Sequence, residues 1–169
     1  METAVPGPTE LRARTRLDVT PDAVRAALGP GRNEWLRADP APRPGATDLE
    51  RYLIDLEMPL GDRTSRVSLR KAALVDVGRV SDDDKGAACL PISWQAASLA
   101  PLFPVFSGHI CWSDGELRLD GWYEAPGGVV GAAADQLLFR IVARRTADWL
   151  LGRVADAAER LAADEARGT

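Results

Sequence analysis

A change of period near residue 130 constrains this chain more than any other feature. Upstream, apolar and polar residues alternate in twos; downstream they recur every 3.6 residues. From Gly131 to Ala163 the stripe runs through Phe139, Ala143, Ala147, Leu150, Val154, Ala157 and Leu161, widened by Leu138, Val142 and Trp149. Arg140, Arg144 and Asp148 mark its wet side. At 1.5 Å per residue this predicts a helix about 45 Å long. A single helix of that length must lie across another layer to bury its stripe.

That layer is a sheet. Leu11, Ala13, Thr15, Leu17 and Val19 alternate with Arg12, Arg14, Arg16 and Asp18, a half-buried first strand with an arginine face in water. Charges along such a strand discourage edge-to-edge pairing. Thr20-Pro21 is an N-cap with proline at the first helical position, and it predicts a short helix through Leu28 that Gly29-Pro30-Gly31 stops. Residues 32–37 read as another helical turn, and 38–47, with Pro40, Pro42, Pro44 and Gly45, as a loop. Five further strands follow at 49–60, 67–80, 89–97, 105–113 and 117–124. The turn at 81–86 is a solvated charge run, and Asp114-Gly115 is a hairpin signal. In phase along these strands lie Tyr52 with Ile54, Leu90 and Ile92 with Trp94, and Phe106 and Ile110 with Trp112. Trp122 is out of phase with Leu117, Leu119 and Tyr123. Tight turns at regular spacing make the sheet antiparallel. The expected class is α+β, with one domain over 1–169, a core of about 9–163 and loose tails at 1–9 and 164–169.

Composition removes several functions. A chain of 169 residues can bury enough apolar surface to need no staple. A net charge of −4 leaves no basic stripe for phosphates, so nucleic acid is not an expected partner. The first residues lack the basic and apolar regions of an export signal, and no apolar run approaches the roughly 20 residues of a transmembrane span. The expected location is cytoplasmic, with Cys89 and Cys111 reduced and buried. One imidazole, His109, and no paired metal-ligand spacing leave no zinc site, and no cofactor motif is present. Gly127-Gly128 and Gly131 lack a phosphate-loop lysine. Asp55, Glu57, Arg66 and Arg70 read as cross-strand charge pairs rather than paired catalytic carboxylates.

The strand order, the run Leu102-Phe103-Pro104-Val105-Phe106-Ser107-Gly108 and the run Gly121-Trp122-Tyr123-Glu124-Ala125-Pro126-Gly127-Gly128 resemble the START/SRPBCC superfamily. The segment 128–135 looks like that superfamily's sheet-to-helix junction, and the likeness covers about residues 9–163. The resemblance implies the helix-grip fold: a curved antiparallel sheet of six to seven strands wrapped on a long C-terminal helix, with short helices after the first strand. It also implies a deep pocket for an apolar or aromatic ligand such as a lipid, a quinone or a polyketide. No shared catalytic motif comes with it.

A curled sheet under one straight helix leaves a hollow, which is a common small-molecule site. The expected lining is Tyr52, Ile54, Trp94, Phe106, Ile110, Trp112, Tyr123, Leu138, Val142 and Trp149. Tyr123, His109, Gln95 or Ser93 would orient the ligand, and residues 38–46 or 81–86 would gate it. Plain core packing explains the same aromatic residues. The first reading is therefore a binding module for an apolar molecule. The second is a cyclase or dehydratase, for which His109 and Tyr123 are the acid/base candidates, His109 standing in phase with outward rather than inward neighbours. The third is an interaction domain whose hollow is filled by its own side chains. Oligomeric state is left open.

Overall fold

A computed structural model of the chain describes residues 7–29, 35–36, 39–41, 49–59, 68–97, 105–124 and 132–167; for 39, 56–59, 68–71 and 132–139 the description is of backbone. The order is β1 (Thr9–Arg16), α1 (Pro21–Leu28), β2 (Asp39–Pro40), β3 (Glu50–Pro59), β4 (Ser68–Val77), β5 (Ser81–Asp82), β6 (Ala88–Ala96), β7 (Val105–Ser113), β8 (Glu116–Glu124) and α2 (Ala132–Arg167). All pairings are antiparallel, in the order β1-β8-β7-β6-β4-β3-β2, with β5 paired to β6. The α+β class is as expected. Two short strands are additions: β2 lies in the proline-rich stretch read as loop, and β5 in the charge run read as turn. Two residues carry too little alternation to show in a sequence.

Local chemistry explains the boundaries. Thr20 accepts a hydrogen bond from the Ala23 amide at 3.3 Å and Pro21 opens α1, as an N-cap and N1 proline should. Asp114 and Gly115 both have positive φ, 51° and 74°, so the β7–β8 hairpin closes through a left-handed pair whose twist suits its strands. The first strand ends at Arg16 rather than Val19, and the Leu17 amide donates instead to the Gly115 carbonyl at 2.9 Å. Of the helical turn expected at 32–37 only Trp35 and Leu36 are described. Both are buried, and Arg153 of α2 donates to the Trp35 carbonyl at 2.9 Å.

At 36 residues, α2 is roughly 54 Å long. Its buried stripe is Val142, Ala143, Ala147, Leu150, Leu151, Val154, Ala157 and Ala158. It packs chiefly on α1, β1, β8 and β3. At the open edge of the sheet Arg144 of α2 donates to the Arg12 carbonyl of β1 at 2.7 Å, tying helix to edge strand. Among the described residues no helix is long and apolar enough to cross a membrane.

The cysteines correct an expectation. Cys89 and Cys111 are directly opposite in the β6–β7 register, their Cα atoms 4.1 Å apart, and they form a disulfide. Reasoning from compartment predicted two thiols. The register, which sequence periodicity cannot supply, brings them together.

Candidate functional site

The two faces of the sheet sort the candidate residues. Facing α2, one cross-strand row reads Tyr52, Val75, Trp94, Phe106, Tyr123, each opposite the next in register. Four of these five side chains are aromatic, and all are buried. The Trp94 and Phe106 rings stack, with centroids 3.9 Å apart and planes 15° from parallel. The Tyr52 hydroxyl donates to the Glu50 carboxylate. Ile54 extends the row toward one end of the sheet, Ile110 lies on the same face toward the other, and Val142 of α2 belongs to the same buried cluster; all three are buried. Trp112 and Trp149 are half-buried against this core, with the Arg153 guanidinium 5.6 Å from the Trp149 ring centre. The Leu138 side chain lies outside the described residues.

The packing of the row is shaped by two glycines that entered the sequence reading only as members of the family-like runs. Gly108 and Gly121 face each other in the β7–β8 register. A Cβ on either would stand 2.6 Å from Phe106 Cζ. Phe106 therefore folds into the gap where two side chains are missing, which aligns its ring with Trp94. The signal was a glycine in each of two adjacent strands, but only register reveals that they coincide.

Trp94 carries the row's unmet polar demand. Its residue is 1% exposed, and Nε1 is buried with no acceptor among the described residues. Trp112 Nε1 is in the same position three rows away. Buried polar groups are nearly always satisfied, so an orphaned N–H on a candidate binding row marks where an acceptor is needed.

On β3 and β4 the row lies two residues from Glu50 and Val77, far from Pro59 and Ser68; on β6, β7 and β8 it lies one or two residues from Ala96, Val105 and Glu124, and α2 begins eight residues after Glu124. The 81–86 turn, read as a possible gate, is at the opposite end of β6 and β7, beside Ala88 and Trp112. Of the other gate candidate, residues 42–46 lie outside the described part.

Several polar candidates point away from α2. His109 is exposed on the outer face, opposite Pro91 and Asp120, as are Gln95 and, partly, Ser93. Trp122 shares that face and is 55% exposed. In backbone register Glu57 faces Arg70 and Asp55 faces Ala72, while Arg66 and the side chains of Glu57 and Arg70 are outside the described residues. A largely buried pair had no signal in the sequence: Arg51 Nε and Nη2 donate to the two Asp76 oxygens at 2.7 and 2.9 Å. That bond holds the Arg51 guanidinium pKa above its ordinary value. No group of His, Cys, Asp and Glu among the described residues is placed to hold a metal.

No protein-family model matches the chain, and no curated protein matches it in sequence. Among solved structures it is similar to the Zhui aromatase/cyclase from Streptomyces sp. R1128, with 13% identity, a TM-score of 0.56, and coverage of 91% of this chain and 95% of that one. A looser likeness, TM-score 0.46 at 13% identity over 90% and 98%, is to TTHA0849 from Thermus thermophilus. The first likeness, with the sheet and long helix described above, shows the helix-grip fold of START/SRPBCC-like proteins.

Proposed function

We propose that this helix-grip chain binds an apolar, ring-containing small molecule between the inner face of its sheet and α2. The observation that carries the reading is the buried aromatic row with the Trp94 indole N–H unpartnered at its centre. A buried donor left without an acceptor costs about 1–3 kcal/mol. A ligand that brings a carbonyl or quinone oxygen to Nε1 removes that cost, while its rings take the place of side-chain contacts along Tyr52, Phe106 and Tyr123. Burial of apolar area supplies the affinity and the single acceptor sets the pose. A saturated fatty acid satisfies the apolar surface but has no ring for the Trp94–Phe106 stack.

The test is native mass spectrometry of freshly purified protein with organic extraction, followed by thermal unfolding against quinones, aromatic polyketides and fatty acids. A ligand at 100 times its dissociation constant stabilises by roughly 2.7 kcal/mol. The expected result is stabilisation by carbonyl-bearing aromatics that Trp94→Phe weakens about tenfold in affinity, the loss of one hydrogen bond. A flat panel together with an empty mass spectrum refutes the reading and leaves a core filled by its own side chains.

A second reading is a cyclase or dehydratase using the same space. The phenol of Tyr123 on the inner row is its acid/base candidate, since His109 is on the other face. If Tyr123→Phe abolishes turnover of a polyketide-like substrate and leaves its binding unchanged, catalysis is the function. If both persist, the chain is a carrier.

A further inference from the structure

The outer face of β1, β8 and β7 holds an open groove of about 890 Å³, which Arg144 of α2, paired with Asp148, reaches around the β1 edge. Its wall at one end is the exposed Trp122 indole. Two cross-strand rows along, Arg14 and Arg118 stand directly opposite each other. Like charges in that position repel. Neither has an ion-pair partner among the described residues, whereas Arg12 has Glu10 and, at 3.9 Å, Asp120. Arg118 donates weakly to Ser113 Oγ at 3.4 Å, and its Nε is buried without an acceptor. Asp83 is close enough to feel the Arg118 charge, but its Oδ1 is engaged by the Lys85 and Ala87 amides. Glu116, also in the groove, faces Arg16 in register. Between Trp122 and the arginine pair, Asp120 and His109 face each other across β8 and β7.

The groove thus presents a flat ring, then a carboxylate and an imidazole, then two guanidiniums that form no ion pair among the described residues. Trp122 and Arg118 are four residues apart on one strand, roughly 13 Å at the rise of a β-strand. We propose that the groove binds a small aromatic phosphate laid out like a nucleotide. Its ring packs on Trp122, its hydroxyls meet Asp120 and His109, and its phosphates lie between Arg14 and Arg118. Phosphate oxygens bridging the two guanidiniums turn a repulsive pair into a clamp. Glu10, Asp120 and Glu116 interrupt the positive charge, so the groove offers no continuous track for a nucleic-acid strand.

Isothermal titration of the full chain with ADP tests this, beside adenosine and pyrophosphate as separate probes. ADP is expected to bind, and Arg14→Ala and Trp122→Ala each to weaken it about tenfold, as loss of one charge-assisted bond or one stacked ring does. Both side chains are exposed, so these variants keep the fold, which an unchanged unfolding midpoint verifies. Adenosine and pyrophosphate alone are each expected to bind more weakly than ADP. No binding at millimolar ADP overturns the proposal, as does ADP binding that neither substitution alters. Pyrophosphate binding as tightly as ADP overturns the role of Trp122. None of these outcomes bears on the inner face, whose ligands the same variants leave untouched.

Discussion

At Gly108 and Gly121 a single methyl group has nowhere to go. A Cβ at Gly108 would stand 2.3 Å from the Asp120 carbonyl oxygen, and one at Gly121 2.4 Å from that of Ser107, besides meeting the Phe106 ring. Backbone cannot swing aside as a side-chain tip can. Gly108→Ala and Gly121→Ala are each expected to cost about 2–4 kcal/mol, lowering the thermal midpoint by roughly 5–12 °C. Pairing either with Phe106→Leu should fail to restore stability, because two of the three nearest atoms in each clash are backbone; full rescue would show that the ring alone forbids the methyl. Asp83 acts through charge. Its Oδ1 accepts from the amides of Ala87 at 2.8 Å and Lys85 at 2.9 Å, and these bonds to the ionised form hold its pKa below the ordinary 3.8. A lowered folded pKa contributes stability above the unfolded value, and that contribution is lost as pH falls through the folded one. Wild type should therefore exceed Asp83→Asn in stability at neutral pH, with the gap closing in denaturant titrations taken below about pH 4. A gap independent of pH would mean that the turn needs an oxygen there but not a charge.

Between strands, register decides what residues become. Cys89 and Cys111 looked like unrelated thiols along the chain because 22 residues separate them and periodicity carries no information about which residue faces which. Once β6 and β7 pair, they are neighbours. Closing a loop of that length should stabilise by about 3 kcal/mol. The double variant Cys89→Ser, Cys111→Ser, or wild type in excess dithiol, should unfold at correspondingly lower urea, while the single variants should match the double. Equal midpoints with and without dithiol would mean that the bridge is not formed in solution. Arg51 and Asp76 follow the same logic on β3 and β4, with side chains only 16% and 11% exposed. Removing Asp76 strands the Arg51 guanidinium: Asp76→Ala should cost about 2 kcal/mol, below the range for a wholly buried pair because some solvent reaches it. Arg51→Met with Asp76→Leu should cost less than Asp76→Ala alone in a double-mutant comparison. The pair escaped notice because an arginine and an aspartate 25 residues apart look like ordinary surface charges until the strands are aligned.

For the molecule as a whole, what could be read along the chain was whatever repeats along it. The two-residue period found the six long strands to within three residues at most ends, and the 3.6-residue period found α2, including Ala147, Leu150 and Val154 on its buried side. The inner row was half legible: phase put Tyr52, Trp94, Phe106 and Tyr123 on one face, but their alignment into a single line, and the glycine gap that seats Phe106, belong to pairing between strands. That alignment has a thermodynamic consequence. The buried residues of β1, β3, β4, β6, β7, β8, α1 and α2 form one continuous cluster, with no division between sheet and helix. A protein built this way should lose both layers together. Leu150, fully buried on α2, reports on it. Leu150→Ala should cost about 2–5 kcal/mol. It should shift the far-UV circular dichroism of the helix and the tryptophan fluorescence, to which Trp94, Trp112 and Trp122 of the sheet contribute, by the same amount of denaturant, because neither layer keeps its apolar face covered without the other. Beyond Ala158 the helix has only half-buried or exposed residues, so a chain ending at residue 163 should keep the wild-type midpoint. If the fluorescence transition stayed fixed while the helix signal moved in Leu150→Ala, the sheet would be stable without its helix. The cover over the aromatic row would then be detachable rather than part of one cooperative unit.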